Sequence, residues 1–253
     1  MVNAFFEVHK DLPREGPGDN ESTKKAYLML RNLPEKSRIL DIGCGPGMQT
    51  IELAKLSDGH IEALDNHQSF LEQLKKKAEE ESVSEKITAV NGDMTALNYE
   101  DGSFDLIWCE GAIFIIGFEK GLREWKRLLT DKGYLVVSEL CWLKPDPPGE
   151  VRKFMEIYPG IKTINESLKT IKKAGYRVIS HFVLPTKSWW THYYTPIEAK
   201  IPSMKRKYKD DKEALHILAA TELEIEMFRK YSDYYGYVFY IMQVNDKKVH
   251  QKT

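Results

Sequence analysis

Short apolar runs alternate along this chain with longer stretches in which apolar residues recur every third or fourth position. The short runs read as buried strands and the longer stretches as amphipathic helices. Strand-length runs fall at 38–42, His60–Asp65, Ile87–Val90, Phe104–Glu110 and Tyr134–Glu139. Helical spacing fills the gaps: up to about Leu56, from Gln68 to about Ser82, and from Phe118 to Leu129. Strand and helix thus alternate from residue 37 to 139, which predicts an α/β fold with a doubly wound, largely parallel sheet. In such sheets ligands sit beyond the carboxyl ends of the strands.

The flanks read differently. Residues 1–20 are dense in proline and glycine after Phe5-Phe6 and His9, which excludes one continuous helix. The paired phenylalanines suggest an arm docked on the body, with Arg14 in reach of a ligand. Asn20 or Ser22 is expected to cap a helix that Pro34 stops near Leu33. Beyond Glu139 a proline-rich link (144–149) leads to helices at Val151–Ile157 and Ile164–Lys173, then a strand at Tyr176–Leu184. A β-rich stretch, Gly236–Val244, closes the fold, and about fifty residues separate these last two strands. That interval holds Trp189, Trp190, His192, Tyr193 and Tyr194, then helices at Pro196–Tyr208 and Asp211–Tyr234. The expected division is an arm (1–20), a core (21–184 and 235–244), a helical cap on the acceptor side (185–234) and a loose polar tail (245–253).

The chemistry begins at Asp41-Ile42-Gly43-Cys44-Gly45-Pro46-Gly47. A buried strand ends in an acid and breaks into glycines, which let backbone approach a ligand closely. A dinucleotide fingerprint would place its last glycine where Met48 stands. The observed spacing instead resembles motif I of the class I S-adenosylmethionine (SAM)-dependent methyltransferases. The strand-end Asp65 followed by Asn66-His67, the Asp93-Met94 pair, and Phe104-Asp105-Leu106-Ile107 after a polar turn resemble that family's later motifs. The closest flavour is the small-molecule group that includes ubiquinone-biosynthesis C-methyltransferases and phosphoethanolamine N-methyltransferases.

The resemblance implies a Rossmann-like sheet of seven strands, mostly parallel with an antiparallel edge hairpin, here with a helical insertion between the last two strands. It implies SAM as cofactor, with Asp41, Gly43, Cys44, Gly45 and Gly47 at its methionine and ribose portions. Asp65 would take the ribose hydroxyls, since a carboxylate accepts two O–H donors at once. Asn66 or His67 would flank the adenine, and Asp93 and Met94 would meet its edge. Glu110 would stand where the methionine end and the acceptor converge. As a turn former or helix cap, Asp65 has an equally ordinary structural use, and so does Asp93.

Independently of the resemblance, Asp41, Asp65, Asp93, Glu110 and Glu139 all fall at expected strand ends. Their mutual repulsion along one rim would be relieved by a cationic ligand.

With 37 basic and 38 acidic residues and a net charge of −1 over 253 residues, nothing favours nucleic acid or an anionic membrane as partner. Cys44, Cys109 and Cys141 form no C-x-x-C pair, so neither a zinc site nor a disulfide framework is indicated, and no metal is expected. No apolar run is long enough to span a bilayer, and a cytoplasmic monomer or homodimer is the default expectation. For methyl transfer to a small-molecule acceptor, Glu110, Glu139, His192 and Tyr193 are the candidate catalytic groups, with His9 a further base. Trp142, Trp190 and Tyr194 are candidate walls. Carboxylates among aromatics favour an amine or cationic acceptor; C- or O-methylation of a quinone or phenol is the alternative, and a non-catalytic SAM-binding protein another.

Overall fold

In the computed structural model, which describes residues 4–158 and 160–245, eight strands form a single sheet. These are β1 (Arg38–Ile42), β2 (His60–Asp65), β3 (Ile87–Asn91), β4 (Phe104–Glu110), β5 (Leu129–Trp142), β6 (Lys162–Thr163), β7 (Tyr176–Val183) and β8 (Tyr235–Val244). The strand order is β3-β2-β1-β4-β5-β8-β7, with the two-residue β6 paired to the end of β5. Strands β1 to β5 pair in parallel, while β8 runs antiparallel between β5 and β7. The expected doubly wound sheet with an antiparallel edge is therefore the observed one.

The sheet is buried on both faces, which is why its inner strands read as continuous apolar runs rather than as alternation. Successive residues still separate by face. Ile39, Leu106, Trp108, Tyr134 and Val136 join one core cluster, whereas Leu40, Ile107, Cys109, Leu135 and Val137 join the other. Helices α3 (Met48–Leu56) and α4 (Gln68–Glu80) supply Leu53, Leu71 and Leu74 to the first cluster. Leu122 of α5 (Phe118–Glu124) and Ile171 of α7 (Ile164–Lys173) belong to the second. Between β5 and α7 lies α6 (Gly149–Phe154), continued by a tighter turn at Met155–Ile157.

Three boundaries depart from expectation. The helix expected to reach Leu33 is α2 (Asn20–Tyr27), capped by Asp19, whose carboxylate accepts from the Ser22 amide at 2.6 Å. It stops early because the chain turns at Leu28–Leu30 and the Arg31 carbonyl accepts the Tyr134 hydroxyl, a tertiary bond replacing the helical ladder. Leu28 is consequently exposed. Strand β5 runs well beyond Tyr134–Glu139 at both ends, because Leu129 pairs with Phe104 of β4 at one end and β8 pairs with it as far as Trp142 at the other. Trp190–Tyr194 forms a wide helical turn that joins α8 (Lys187–Trp189) directly to α9 (Thr195–Lys207).

The arm opens with a short helix, α1 (Ala4–His9), held against α9 and α10 (Lys212–Tyr231). The Lys200 ammonium donates to the carbonyls of Val8 and Lys10, while Lys207 and Tyr208 both reach the Glu7 carboxylate. Gly18 and Asp19 then tie the arm to Ser188. The tail from 246 onward lies outside the described residues.

Candidate active site

Gly43, Gly45 and Gly47 all have positive φ (72°, 52° and 90°), so the turn after β1 needs the freedom that only glycine has at each. A side chain at Gly47 would collide with Leu74, which lets α3 and α4 pack closely here. The Gly43 and Cys44 amides donate to the Leu64 carbonyl at 2.8 and 3.0 Å, fastening the turn to the end of β2. Next to that carbonyl, Asp65 accepts from the Gly45 amide through Oδ2 and from the His67 amide through Oδ1, both at 2.9 Å. The strand-end acid thus shapes the turn as well as facing the space beyond it.

That space is a cavity of about 480 Å³. Its cofactor-side wall includes Gly43, Cys44, Gly45, Asp65, Asn66, His67, Asp93 and Met94. The His67 ring stacks on Phe70 at 4.4 Å, giving a flat apolar surface beside Asn66. Asp93 is exposed, and its carboxylate accepts from the Thr95 amide and hydroxyl at 2.8 Å, bonds that hold it below the usual carboxylate range. The Cys44 thiol is pushed up by burial and so is no nucleophile.

Arg14, Glu15, Gly16 and Pro17 of the arm line the same cavity. The Arg14 guanidinium reaches across to Glu110 at 2.5 Å, with both side chains almost wholly buried. Glu110 also accepts from the Thr23 hydroxyl at 2.7 Å and the Trp108 indole N–H at 2.8 Å. Both of its oxygens are engaged, so Glu110 anchors the arm at the place where catalysis was expected of it. Arg14 Nε and Nη1 are buried donors with no partner among the described residues. Two orphaned donors of a fixed cation beside a glycine turn fit the carboxylate of a SAM methionine moiety. Glu15 is pushed up to about 7, by burial first and then by the charge of Asp65.

Two expected acids leave the rim. Asp41 is fully buried and is not on the cavity wall; its carboxylate accepts from Thr50 at 2.6 Å and Gln49 at 3.3 Å, holding the start of α3. Burial, with a smaller push from Glu110, raises it to about 7. Glu139 also lies off the wall; one of its oxygens is buried without a partner, and burial raises it to about 7. The row of strand-end acids along one open rim is therefore reduced to Asp65, Asp93 and Glu110, because Glu139 lies inside β5, which runs on to Trp142, and the Asp41 carboxylate is taken up by the start of α3.

His192 is half-buried and likewise off the wall, whereas Tyr193 lines the cavity with its hydroxyl 3.3 Å from His9 Nε2. Trp142 and Trp190 do not line it, Trp190 instead receiving the Arg229 guanidinium on its face at 4.9 Å; Tyr194 does line it.

The far end of the cavity contains residues that sequence reasoning passed over: Tyr158, Trp189, Glu224, Tyr235 and Tyr237 among them. They come from α10, β8 and the segments beside α6 and α8, with no shared motif. Glu224 occupies a helix among other acids, so only its fold neighbours distinguish it. Tyr237 reaches toward the Glu110-Gly111 turn, where its hydroxyl would stand 3.8 Å from a Cβ placed on Gly111. The aromatic end and the glycine end are thereby parts of one chamber.

A wound sheet of this strand order, with a glycine turn after β1 and a strand-end acid bonded to it, is a Rossmann-like α/β architecture whose ligand space lies beyond the carboxyl ends of the strands. Residues 39–133 match the family model for a methyltransferase domain, and the fold is that of the class I SAM-dependent methyltransferases. A sterol 24-C-methyltransferase of Neurospora crassa is 28% identical over 191 residues, covering 71% of this chain and 50% of the relative. The chain spans about half the length of the curated relatives it matches first. Solved SAM-dependent methyltransferases of Geobacter sulfurreducens and Thiobacillus denitrificans, both in complex with S-adenosyl-L-homocysteine, superpose with a TM-score of 0.82. They are 21% and 22% identical, and each match covers 97% of this chain and 99% of theirs, a likeness of fold.

Proposed function

We propose that this chain is an enzyme that binds SAM in the glycine-turn end of the cavity and transfers its methyl group to a small-molecule acceptor in the aromatic end. The observation that carries the reading is the single chamber joining Gly43–Asp65 to Tyr237 and Trp189. Bound SAM supplies an electrophilic methyl on a sulfonium: an acceptor electron pair forms the new bond to carbon, and the carbon–sulfur pair stays on sulfur, leaving S-adenosylhomocysteine.

The protein's part is to align the two partners and to exclude water. Asp65 faces the ribose side, while His67 and Phe70 offer a flat surface to the adenine. The free donors of Arg14 meet the methionine carboxylate. Among the catalytic candidates, Tyr193 lines the chamber, and its phenol, pushed well up by burial and then by Glu224, stays neutral and able to donate. Of the acceptor classes, the carboxylate set among aromatics supports an amine. The curated relatives support a second, an apolar carbon acceptor of sterol type, for which Phe114, Ile115, Leu140, Phe154 and Met155 offer an apolar lining.

Calorimetric titration with SAM and with NADH tests the cofactor, and heat from NADH alone would end the reading. Incubation of labelled SAM with amines, phenols, quinones and sterols, read as S-adenosylhomocysteine release, tests catalysis. Binding without release from any acceptor would leave a SAM-binding protein that does no chemistry.

A further inference from the structure

Glu224 sits at the acceptor end in surroundings that call for a positive charge. Its Oε1 accepts the Tyr194 hydroxyl at 2.9 Å, and among the described residues no lysine, arginine or histidine pairs with it. Glu224 is half-buried, and a carboxylate partly withdrawn from water without a countercharge is destabilised; burial accordingly pushes it up. The carboxylate has five phenols for neighbours. Burial first and the Glu224 charge second raise Tyr158 to about 12 and push up Tyr193 and Tyr194. Tyr235 follows the same order, and Tyr237 feels Glu224 after Tyr158 and Glu139. Trp189 closes the basket, its ring centroid 5.8, 6.2 and 5.2 Å from those of Tyr194, Tyr235 and Tyr237.

A second observation points into the same space. The Tyr235 hydroxyl is buried, lines the cavity and has no hydrogen-bond partner among the described residues. A buried hydroxyl left unpaired costs free energy that a ligand donor or acceptor recovers. The described residues contain no cluster of three or more His, Cys, Asp and Glu side chains able to hold a metal, and the aromatic faces around Glu224 suit an organic cation.

We propose that Glu224 and Tyr235 form the recognition site for a protonated amine, whose N–H groups donate to the Glu224 carboxylate and the Tyr235 oxygen while the rings of Tyr158, Trp189 and Tyr237 enclose its carbon substituents. Aromatic faces attract a desolvated cation, and a charge-assisted bond to a buried carboxylate is stronger than a neutral one. A quaternary ammonium would satisfy Glu224 but leave Tyr235 unpaired. An uncharged acceptor would leave the carboxylate without a counterion. The ligand's class follows from the site itself; calling that amine the methyl acceptor rests on the methyltransferase reading above and requires one N–H proton to pass to the Glu224 carboxylate, which frees the nitrogen electron pair for the new bond to carbon.

Benzylamine and benzyl alcohol have nearly the same shape, and at neutral pH only the first is charged. Calorimetry on the full chain, with and without S-adenosylhomocysteine, should find benzylamine bound at least about tenfold more tightly than the alcohol. Glu224→Gln keeps the volume and can still accept from Tyr194, and should shrink that ratio to about threefold or less. Tyr235→Phe, which removes only an unpartnered oxygen, should weaken benzylamine several-fold and the alcohol less. Equal affinity of the two probes in the native chain, failure of benzylamine to bind, or a preference unchanged in Glu224→Gln would each overturn the proposal. Unaltered S-adenosylhomocysteine affinity in both variants controls for folding. Loss of SAM binding alongside an intact amine preference would sink the methyltransferase reading alone.

Discussion

The two ends of the cavity are built on different principles. The glycine-turn end is made of backbone: three left-handed glycines, amides donated to Leu64 and Asp65, and a flat ring beside Asn66. Its members come from the ends of β1, β2 and β3, fixed to one another by sheet register. The aromatic end is made of side chains that α10, β8 and the α6 and α8 segments bring together, with Glu224 the one acid among its wall residues from the cap. A ligand common to a whole family can be held by backbone that tolerates little change. A ligand particular to one protein is read by side chains that change without disturbing the sheet.

If that division holds, damage to the first end should reach the fold, and damage to the second should not. Arg14→Ala should be the most severe variant, because it strands Glu110 in the interior; about 3 kcal/mol of stability is expected to go, read by urea unfolding. Gly47→Ala follows at about 2 kcal/mol, forcing a side chain to φ 90° against Leu74, whereas Gly45→Ala, with only Glu15 Cγ in ordinary contact at 3.8 Å and φ 52°, should cost about half that. Asp65→Ala should weaken SAM about tenfold or more, a loss near 1.4 kcal/mol, measured by calorimetry beside a melting curve in which the fold survives at a lowered midpoint, since the Gly45 and His67 amides lose their acceptor. Unchanged affinity would remove the ribose assignment.

A pH series gives a gentler effect. Glu15, Asp41 and Glu139 each bind a proton more tightly folded than unfolded, so the stability they contribute should be full below about pH 4 and be lost as pH rises to about 7. Thermal midpoints across that range check the slope, and Asp41→Asn should flatten it. Tyr235→Phe should be the mildest of all, within about 0.5 kcal/mol of the native chain, since no hydrogen bond is lost. A large stability loss there would mean that the aromatic end carries the fold after all.

The same division explains what could be read in advance. Asp65, the glycines and β4 were legible because strand ends and tight turns are local in sequence. Asp41 and Glu139 looked equivalent to Asp65, yet which strand ends stay open depends on neighbours several elements away. Glu224 carried no local mark, lying in a helix with Glu222 and Glu226 two positions to either side. Its distinction is made by Tyr194 and Tyr235, which arrive from separate elements. The early end of α2 was hidden for a similar reason, since it depends on a hydroxyl from β5.

Two of the bonds that fasten the arm are opposite in character. Glu7 meets Lys207 where water and salt reach them, while Arg14 meets Glu110 in the dry interior. Dissolved ions weaken the outer bond and hardly touch the inner one. Raising ionic strength is therefore expected to weaken the outer pair alone and leave the leading helix seated, because Ala4, Val8 and Leu12 are packed into the core, where screening does not act.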